Sequence, residues 1–174
     1  MNWPRGIRVI EGAVKDCDKI IKFAEDQGFE DSFTGNGNTS KFRTSSSCFL
    51  PIHSFENPDY IYNMHKVIYV QVGKYAKEFG VELTLMEDAS IQKYEKGQLY
   101  KSHIDAGPGV PRVISALVYL NDTDGGDTYF NEFDWGVTPK EGTLVIFPSN
   151  YIYRHEAKPP NSGLKYAVAY WIQG

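Results

Sequence analysis

Apolar positions along this chain keep two different rhythms, and the change from one to the other falls near residue 84. Between residues 13 and 27, Val14, Cys17, Ile21 and Ala24 recur three or four apart, the spacing that gathers side chains on one helical face, and Gly28 supplies a stop. A longer stripe of Ile61, Met64, Ile68, Val72, Tyr75 and Phe79 follows Pro58 and ends at Gly80, which predicts a second helix. Each helix has one apolar face and is expected to lay it on a sheet.

Beyond residue 84 the runs shorten, grow rich in Val, Ile, Tyr, Thr and Leu, and are cut by clusters of Gly, Pro, Asn and Asp. Strands are predicted over 88–94, 99–105, 112–120, 127–131, 143–147, 153–157 and 165–172. Asp124-Gly125-Gly126 and the stretch from Pro159 to Gly163 read as turns. Short strands in that number, with helices ahead of them, predict an α+β, mainly β fold: a double-stranded β-helix (jelly roll, cupin-like) core with N-terminal supporting helices. Thr34 to Ser40, the most linker-like stretch, is too short to separate a pair of domains and reads as a mobile surface loop. A single domain over 1–174 is therefore expected, with helical support in 1–83 and the core in 84–174.

Composition narrows the class. A chain of 174 residues can bury a core without disulfides or structural metals. Its net charge of -4 is mild, and Lys and Arg are scattered among acids, so the basic surface a nucleic-acid binder needs is missing. Cys17 and Cys48 have neither metal-type spacing nor the density of a secreted disulfide framework, and reduced thiols are expected. No apolar run approaches the roughly 20 residues that span a bilayer, and residues 1–5 lack the apolar core of a signal peptide. No membrane partner and a cytoplasmic location are the expectation.

The chemistry concentrates in the strand-rich region. His103 and Asp105 stand two apart on a predicted strand, so both side chains leave the same face and can share one ion. His155 offers a third ligand. Two imidazoles and one carboxylate on one face of an octahedral ion leave three positions open, the arrangement suited to non-haem Fe(II), whereas a structural zinc would want four closed protein ligands. Oxygen chemistry at such an iron needs two further electrons, which a 2-oxo acid can supply through oxidative decarboxylation, and the acid's far carboxylate then needs a cation. Lys165 follows His155 by ten residues, and a hairpin turning through 159–163 would set the two strands side by side. His53, in a Pro-rich turn, and His65, on a helix, are given no role. Asp122, Asp124, Asp127 and Asp134 lie close in sequence but do not have the spacing of a Ca²⁺ loop.

Taken together, His103-Ile104-Asp105, His155 and Lys165 resemble the ligand order of the prolyl 4-hydroxylase group of 2-oxoglutarate and Fe(II) dioxygenases. The approach from Gln92 to Tyr100, the Gly125-Gly126-Asp127-Thr128 turn and residues 165–172 follow the same order, and Phe42-Arg43-Thr44-Ser45 resembles the Arg-Thr-Ser segment ahead of that core. Ser47 replaces a common Gly, and Asp127 a common Glu. The resemblance implies Fe(II), 2-oxoglutarate and O2, with ascorbate as an accessory reductant, and hydroxylation of an unactivated C–H with release of succinate and CO2. It implies His103, Asp105 and His155 as metal ligands and, with Lys165, as the catalytic set. Lys165, Tyr94 and Ser115 would hold 2-oxoglutarate. Tyr100, Arg112, Tyr153, Arg43 and Ser45 would meet a proline-containing peptide or protein. A carboxylate at Asp105 fills the place a halide would take in halogenating relatives, which favours hydroxylation. The triad is blind to substrate, so a dioxygenase acting on a free amino acid or other small molecule competes with the peptide reading, as does a non-catalytic cupin-like metal/ligand-binding module.

Overall fold

The computed structural model describes residues 3–32 and 41–174, and the loop expected at 34–40 lies outside the described residues. From the N-terminus come β1 (Arg8–Ile10), α1 (Cys17–Gln27), β2 (Glu30–Asp31), β3 (Ser46–Leu50), α2 (Asp59–Phe79), β4 (Leu85–Met86) and β5 (Ala89–Tyr94). Strands β6 (Tyr100–His103), β7 (Arg112–Tyr119), β8 (Asp124–Gly125), β9 (Thr128–Phe130), β10 (Trp135–Val137), β11 (Leu144–Pro148), β12 (His155–Ala157), β13 (Pro160–Ser162) and β14 (Lys165–Gln173) follow. Single 3-10 turns lie at Asn131–Phe133 and Tyr151–Tyr153.

Both helices form, with adjusted ends. Helix α1 starts at Cys17 rather than residue 13, because the Val14 N–H is already committed to the Gly142 carbonyl at 3.0 Å and Asp16 takes a left-handed conformation (φ 57°). Cys17, Ile20 and Ala24 are its buried face. Helix α2 buries Ile61, Met64, Ile68, Val72, Tyr75 and Ala76, while Phe79, expected in that stripe, is 42% exposed and rests against the Tyr75 ring. Gly80, at φ 65°, closes the helix with the left-handed residue that only glycine adopts without strain.

The strands make an antiparallel major sheet, ordered β1-β11-β7-β14-β5-β3-β2 with β4 added to β14, and a minor sheet ordered β10-β9-β12-β6. A short β13-β8 pair completes the set. The jelly-roll expectation holds, and the period-two alternation of the strands decides what each face of the major sheet carries. On β14, Tyr166, Val168, Tyr170 and Ile172 join the cluster under the helices, with Ile114, Ala116 and Val118 of β7 and Leu144 and Ile146 of β11. The alternate residues Lys165, Ala167, Ala169 and Trp171 face inward and line a cavity. A second cluster of Tyr119, Phe130, Val145 and Phe147 closes the space between the two sheets.

Cys17 and Cys48 are buried free thiols, the first on α1 and the second on β3. His65 is a buried helical residue whose Nδ1 lies 2.9 Å from the Tyr170 hydroxyl, and burial pushes its pKa down to about 4, so it packs as a neutral ring. His53 is an exposed turn residue.

Candidate metal centre

Two strands of the minor sheet bring the histidines together, since His103 on β6 and His155 on β12 are direct cross-strand partners. Their ring centroids are 4.3 Å apart. Each Nδ1 faces the carbonyl two residues earlier: His103 Nδ1 lies 2.8 Å from Lys101 O, and His155 Nδ1 lies 3.0 Å from Tyr153 O. A carbonyl can only accept, so both Nδ1 atoms carry a proton, and Nε2 is in each ring the nitrogen turned toward the other ligands and available to a metal.

Asp105 arrives differently. The expected strand over 99–105 stops at His103, and Asp105 sits in the bend beyond it. It still converges: Oδ1 lies 3.6 Å from His103 Nε2 and Oδ2 lies 3.8 Å from His155 Nε2. The three ligand atoms fall within 4.8 Å of one another, and among the described residues this is the one group of three such side chains that could hold a metal ion. Burial, with the second imidazole alongside, pushes the His103 pKa well below its usual value. Burial also works against charge on Asp105, but the two imidazoles and hydrogen bonds from Ser115 and Trp171 outweigh it and hold the carboxyl below the ordinary range. An imidazole that resists protonation beside a carboxyl that favours ionisation suits a divalent cation, which binds the deprotonated forms. With three ligands and one side open to a cavity, the donor set fits Fe(II) rather than a closed structural zinc.

That cavity runs inward from the triad between the two sheets. Lys165 stands in its wall as direct cross-strand partner of Tyr94, with Nζ 5.1 Å from the Tyr94 ring centre. It is 2% exposed, and Nζ donates to the Gly126 carbonyl at 2.6 Å. Gly126 is left-handed (φ 74°), and a Cβ there would stand 3.2 Å from the lysine Cδ, so this close approach needs glycine. Burial pushes the Lys165 pKa down to about 7, with Asp127 pulling weakly the other way. The ammonium is thus a buried cation whose hydrogen-bond partner is a neutral carbonyl, in a position to gain from an anion.

The expected hairpin between His155 and Lys165 does not exist. Strand β12 pairs with β6 and β9 in the minor sheet, β14 pairs with β5 and β7 in the major sheet, and the residues between them pair with β8. His155 and Lys165 share a cavity because their sheets face each other. The expected strand over 153–157 likewise begins only at His155, after the turn that holds Tyr153.

The other expected site residues divide. Tyr94, Tyr100 and Arg43 line the cavity. Tyr100 stacks on His103 at 3.6 Å and 14°, and the Arg43 guanidinium lies 4.6 Å over the Tyr100 ring, where Gln92 and Ser45 accept its hydrogen bonds. Ser45 is buried, bonded also to Ser32, and acts as support rather than as a contact surface. Ser115 does not line the cavity: its hydroxyl donates to Asp105 Oδ2 at 2.6 Å. Arg112 is held by Glu87 at 2.5 Å and covers the outer side of Trp171. Tyr153 turns away to donate to the Arg5 carbonyl at 2.8 Å. Gln92 and Trp171, which the sequence pattern does not single out, are lining residues. A signal for Trp171 does exist, because counting in twos from Lys165 reaches it. The four aspartates stay apart in their duties: Asp122 accepts the Glu141 N–H, Asp124 the Asn161 amide and Asp134 the Tyr129 hydroxyl, while Asp127 faces Lys165.

Comparison with known proteins gives a consistent result. Residues 89–173 match the model of the 2OG-Fe(II) oxygenase superfamily. A probable prolyl 4-hydroxylase of Arabidopsis thaliana is 31% identical over 146 residues, 76% of this chain, and the chain spans about half (48%) of the length of that relative. Among solved structures, the viral collagen prolyl hydroxylase of Paramecium Bursaria Chlorella virus-1, in its 2OG complex, matches with a TM-score of 0.79 at 23% identity, covering 98% of this chain and 97% of that one. A Trichoplax adhaerens prolyl hydroxylase, bound to a hypoxia inducible factor peptide fragment, gives 0.82 at 17% identity over 97% and 83%. A Pseudomonas putida prolyl-4-hydroxylase gives 0.79 at 17% identity over 97% and 93%. The structural matches carry the fold.

Proposed function

This chain belongs to the 2OG-Fe(II) oxygenase superfamily and is prolyl 4-hydroxylase-like, and from that premise we propose that it is an Fe(II)- and 2-oxoglutarate-dependent dioxygenase that hydroxylates prolyl residues of a peptide or protein. The observation that carries the reading is two imidazole nitrogens and one carboxylate oxygen within 4.8 Å, opening onto a cavity with a buried lysine in its wall.

His103, Asp105 and His155 would hold the iron, which when bound supplies activation of O2 coupled to decarboxylation of 2-oxoglutarate. The chain's own work is placement. Lys165 pairs its ammonium with the far carboxylate of the 2-oxo acid, and the Tyr94 hydroxyl assists from the neighbouring strand. Leu117, Ala167 and Ala169 give that end of the cavity apolar walls, which keep water from the reacting centre and strengthen the charge pairing. Trp171 offers an aromatic face suited to a proline ring, Tyr100, whose faces His103 and Arg43 cover, offers its edge and hydroxyl, and Arg43 offers N–H donors to a peptide carbonyl.

Protein loaded with Fe(II) and given 2-oxoglutarate and O2 is expected to release succinate in step with a one-oxygen mass gain on a proline-rich peptide. A gain confined to free amino acids or other small molecules would replace the peptide reading. Tight binding of metal and 2-oxoglutarate with no turnover would leave a binding module instead.

A further inference from the structure

The two histidines of the triad are held within the minor sheet, whereas Asp105 has left its strand and is held from the major sheet. Three contacts do this, one of them a hydrogen bond from the Trp171 side chain of β14 to the Asp105 carboxylate. The Ala106 N–H donates to the Ser149 carbonyl at 3.0 Å, which ties the bend to the end of β11. The Ser115 hydroxyl, on β7, donates to Asp105 Oδ2 at 2.6 Å and lies 2.8 Å from the Ser149 hydroxyl. Both serines are buried, at 1% and 2% exposure. They meet because Ser115 and Phe147 are cross-strand partners and Ser149 follows two residues on, where its own N–H bonds the Val113 carbonyl.

A hydroxyl has one proton. With Ser115 donating to Asp105, its oxygen must accept from Ser149, and the order of the relay is fixed: Ser149 to Ser115 to Asp105 Oδ2. One carboxylate oxygen is thereby engaged, and the side chain cannot spin about its terminal bond without losing a short charge-assisted hydrogen bond. Oδ1, the oxygen nearer His103 Nε2, is left to face the ion.

We propose that Ser115, backed by Ser149, is a positioning residue that holds Asp105 as a single-oxygen metal ligand. The inference rests on the iron-site reading above and concerns how one ligand is aimed. It also gives the two buried hydroxyls a purpose, since neither reaches the cavity.

Co(II), which reports its coordination through visible absorption, separates this inference from the reading it rests on. Wild-type protein is expected to bind Co(II) with a defined visible band. Absence of any such binding would overturn the metal centre itself. Ser115→Ala is expected to weaken Co(II) binding by about 10-fold, the usual effect of losing a ligand's outer hydrogen bond, and to change the band shape as the carboxylate turns. Ser115→Thr, which keeps the hydroxyl, is expected to restore both. Ser149→Ala, which cuts only the outer link, is expected to fall between wild type and Ser115→Ala. Wild-type affinity and an unaltered band in Ser115→Ala would overturn the proposal. If circular dichroism shows Ser115→Ala unfolded, Ser149→Ala decides in the same way: a weaker, shifted complex supports the relay, and an unchanged one overturns it.

Discussion

The two faces of the major sheet are built from the same strands and do opposite work. On the helix side of β14 and β7, every alternate residue is apolar and fully or nearly buried, and Ile68 and Val72 of α2 close over them. On the inner side the same strands carry Lys165, Trp171 and Ser115. Burying apolar area is favourable wherever it occurs, whereas burying an ammonium is costly until an anion joins it. The outer face therefore supplies stability, and the inner face gives some of it up for a site prepared for ligands. One-residue alternation is what allows a single strand to do both.

Four substitutions or conditions would break or sharpen that contrast, and the largest effect is expected at Asp105. Asp105→Ala should abolish 2-oxoglutarate turnover, beyond the roughly 100-fold that loss of a supporting contact can cause, because it removes an ion ligand outright. Full turnover in that variant would exclude the triad. Lys165→Met should come next, raising the 2-oxoglutarate concentration required by about 30-fold or more, in keeping with the roughly 2–5 kcal/mol of a truncated buried charge pair. The same variant should melt no lower than wild type, and a lower melt would mean that Lys165 is structural.

On the outer face the signs reverse. Ile68→Ala should cost about 2–5 kcal/mol in urea unfolding through the cavity it leaves, while the affinity of the folded protein for Co(II) stays near wild type. A large loss of metal affinity there would show that the two faces are coupled.

The smallest effect is one of pH. Burial brings the free-state pKa of Lys165 from 10.5 down to about 7, and pairing with a carboxylate requires the charged form. Below about 7 the ammonium is already present. Above it, 2-oxoglutarate affinity should weaken by up to about tenfold per pH unit, read by titration calorimetry in two buffers. The stability of the ligand-free fold should move the other way, because the unfolded chain holds that proton up to 10.5 and the folded chain gives it up near 7. Lys165 thus lowers stability progressively as pH falls through that interval. Affinity that is flat from pH 6 to 9 would contradict a neutral resting lysine.

Much of this is legible in the residues and some is not, for physical reasons. Helical stripes and strand texture depend on local periodicity, so α2 and most core strands fall where the apolar pattern puts them. The spacing of His103, Asp105, His155 and Lys165 is sufficient to pick the cavity residues. What local pattern cannot supply is long-range pairing. The nine residues between His155 and Lys165 have the look of a hairpin, yet the intervening stretch leaves to pair with β8, and the two residues meet across facing sheets. Tyr153 lies in strand-like sequence, but it sits in a 3-10 turn and its hydroxyl is claimed by Arg5, 148 positions away. Ser115 does stand on an inward face, as its place on the strand implies. Its partner could not be foreseen, because nothing local to residues 103–105 says that the strand ends before Asp105.

The order of strands also bears on how the molecule is made. Strand β14, the last in the sequence, occupies the middle of the major sheet between β5 and β7, and both neighbours depend on it for their backbone partners. A ribosome delivers it after all the others, so β5 and β7 emerge with open edges and the sheet cannot close until residues 165–173 arrive. Assembly is thus a late, cooperative event, and a chain stalled upstream of residue 165 would present two unpaired strand edges to its neighbours.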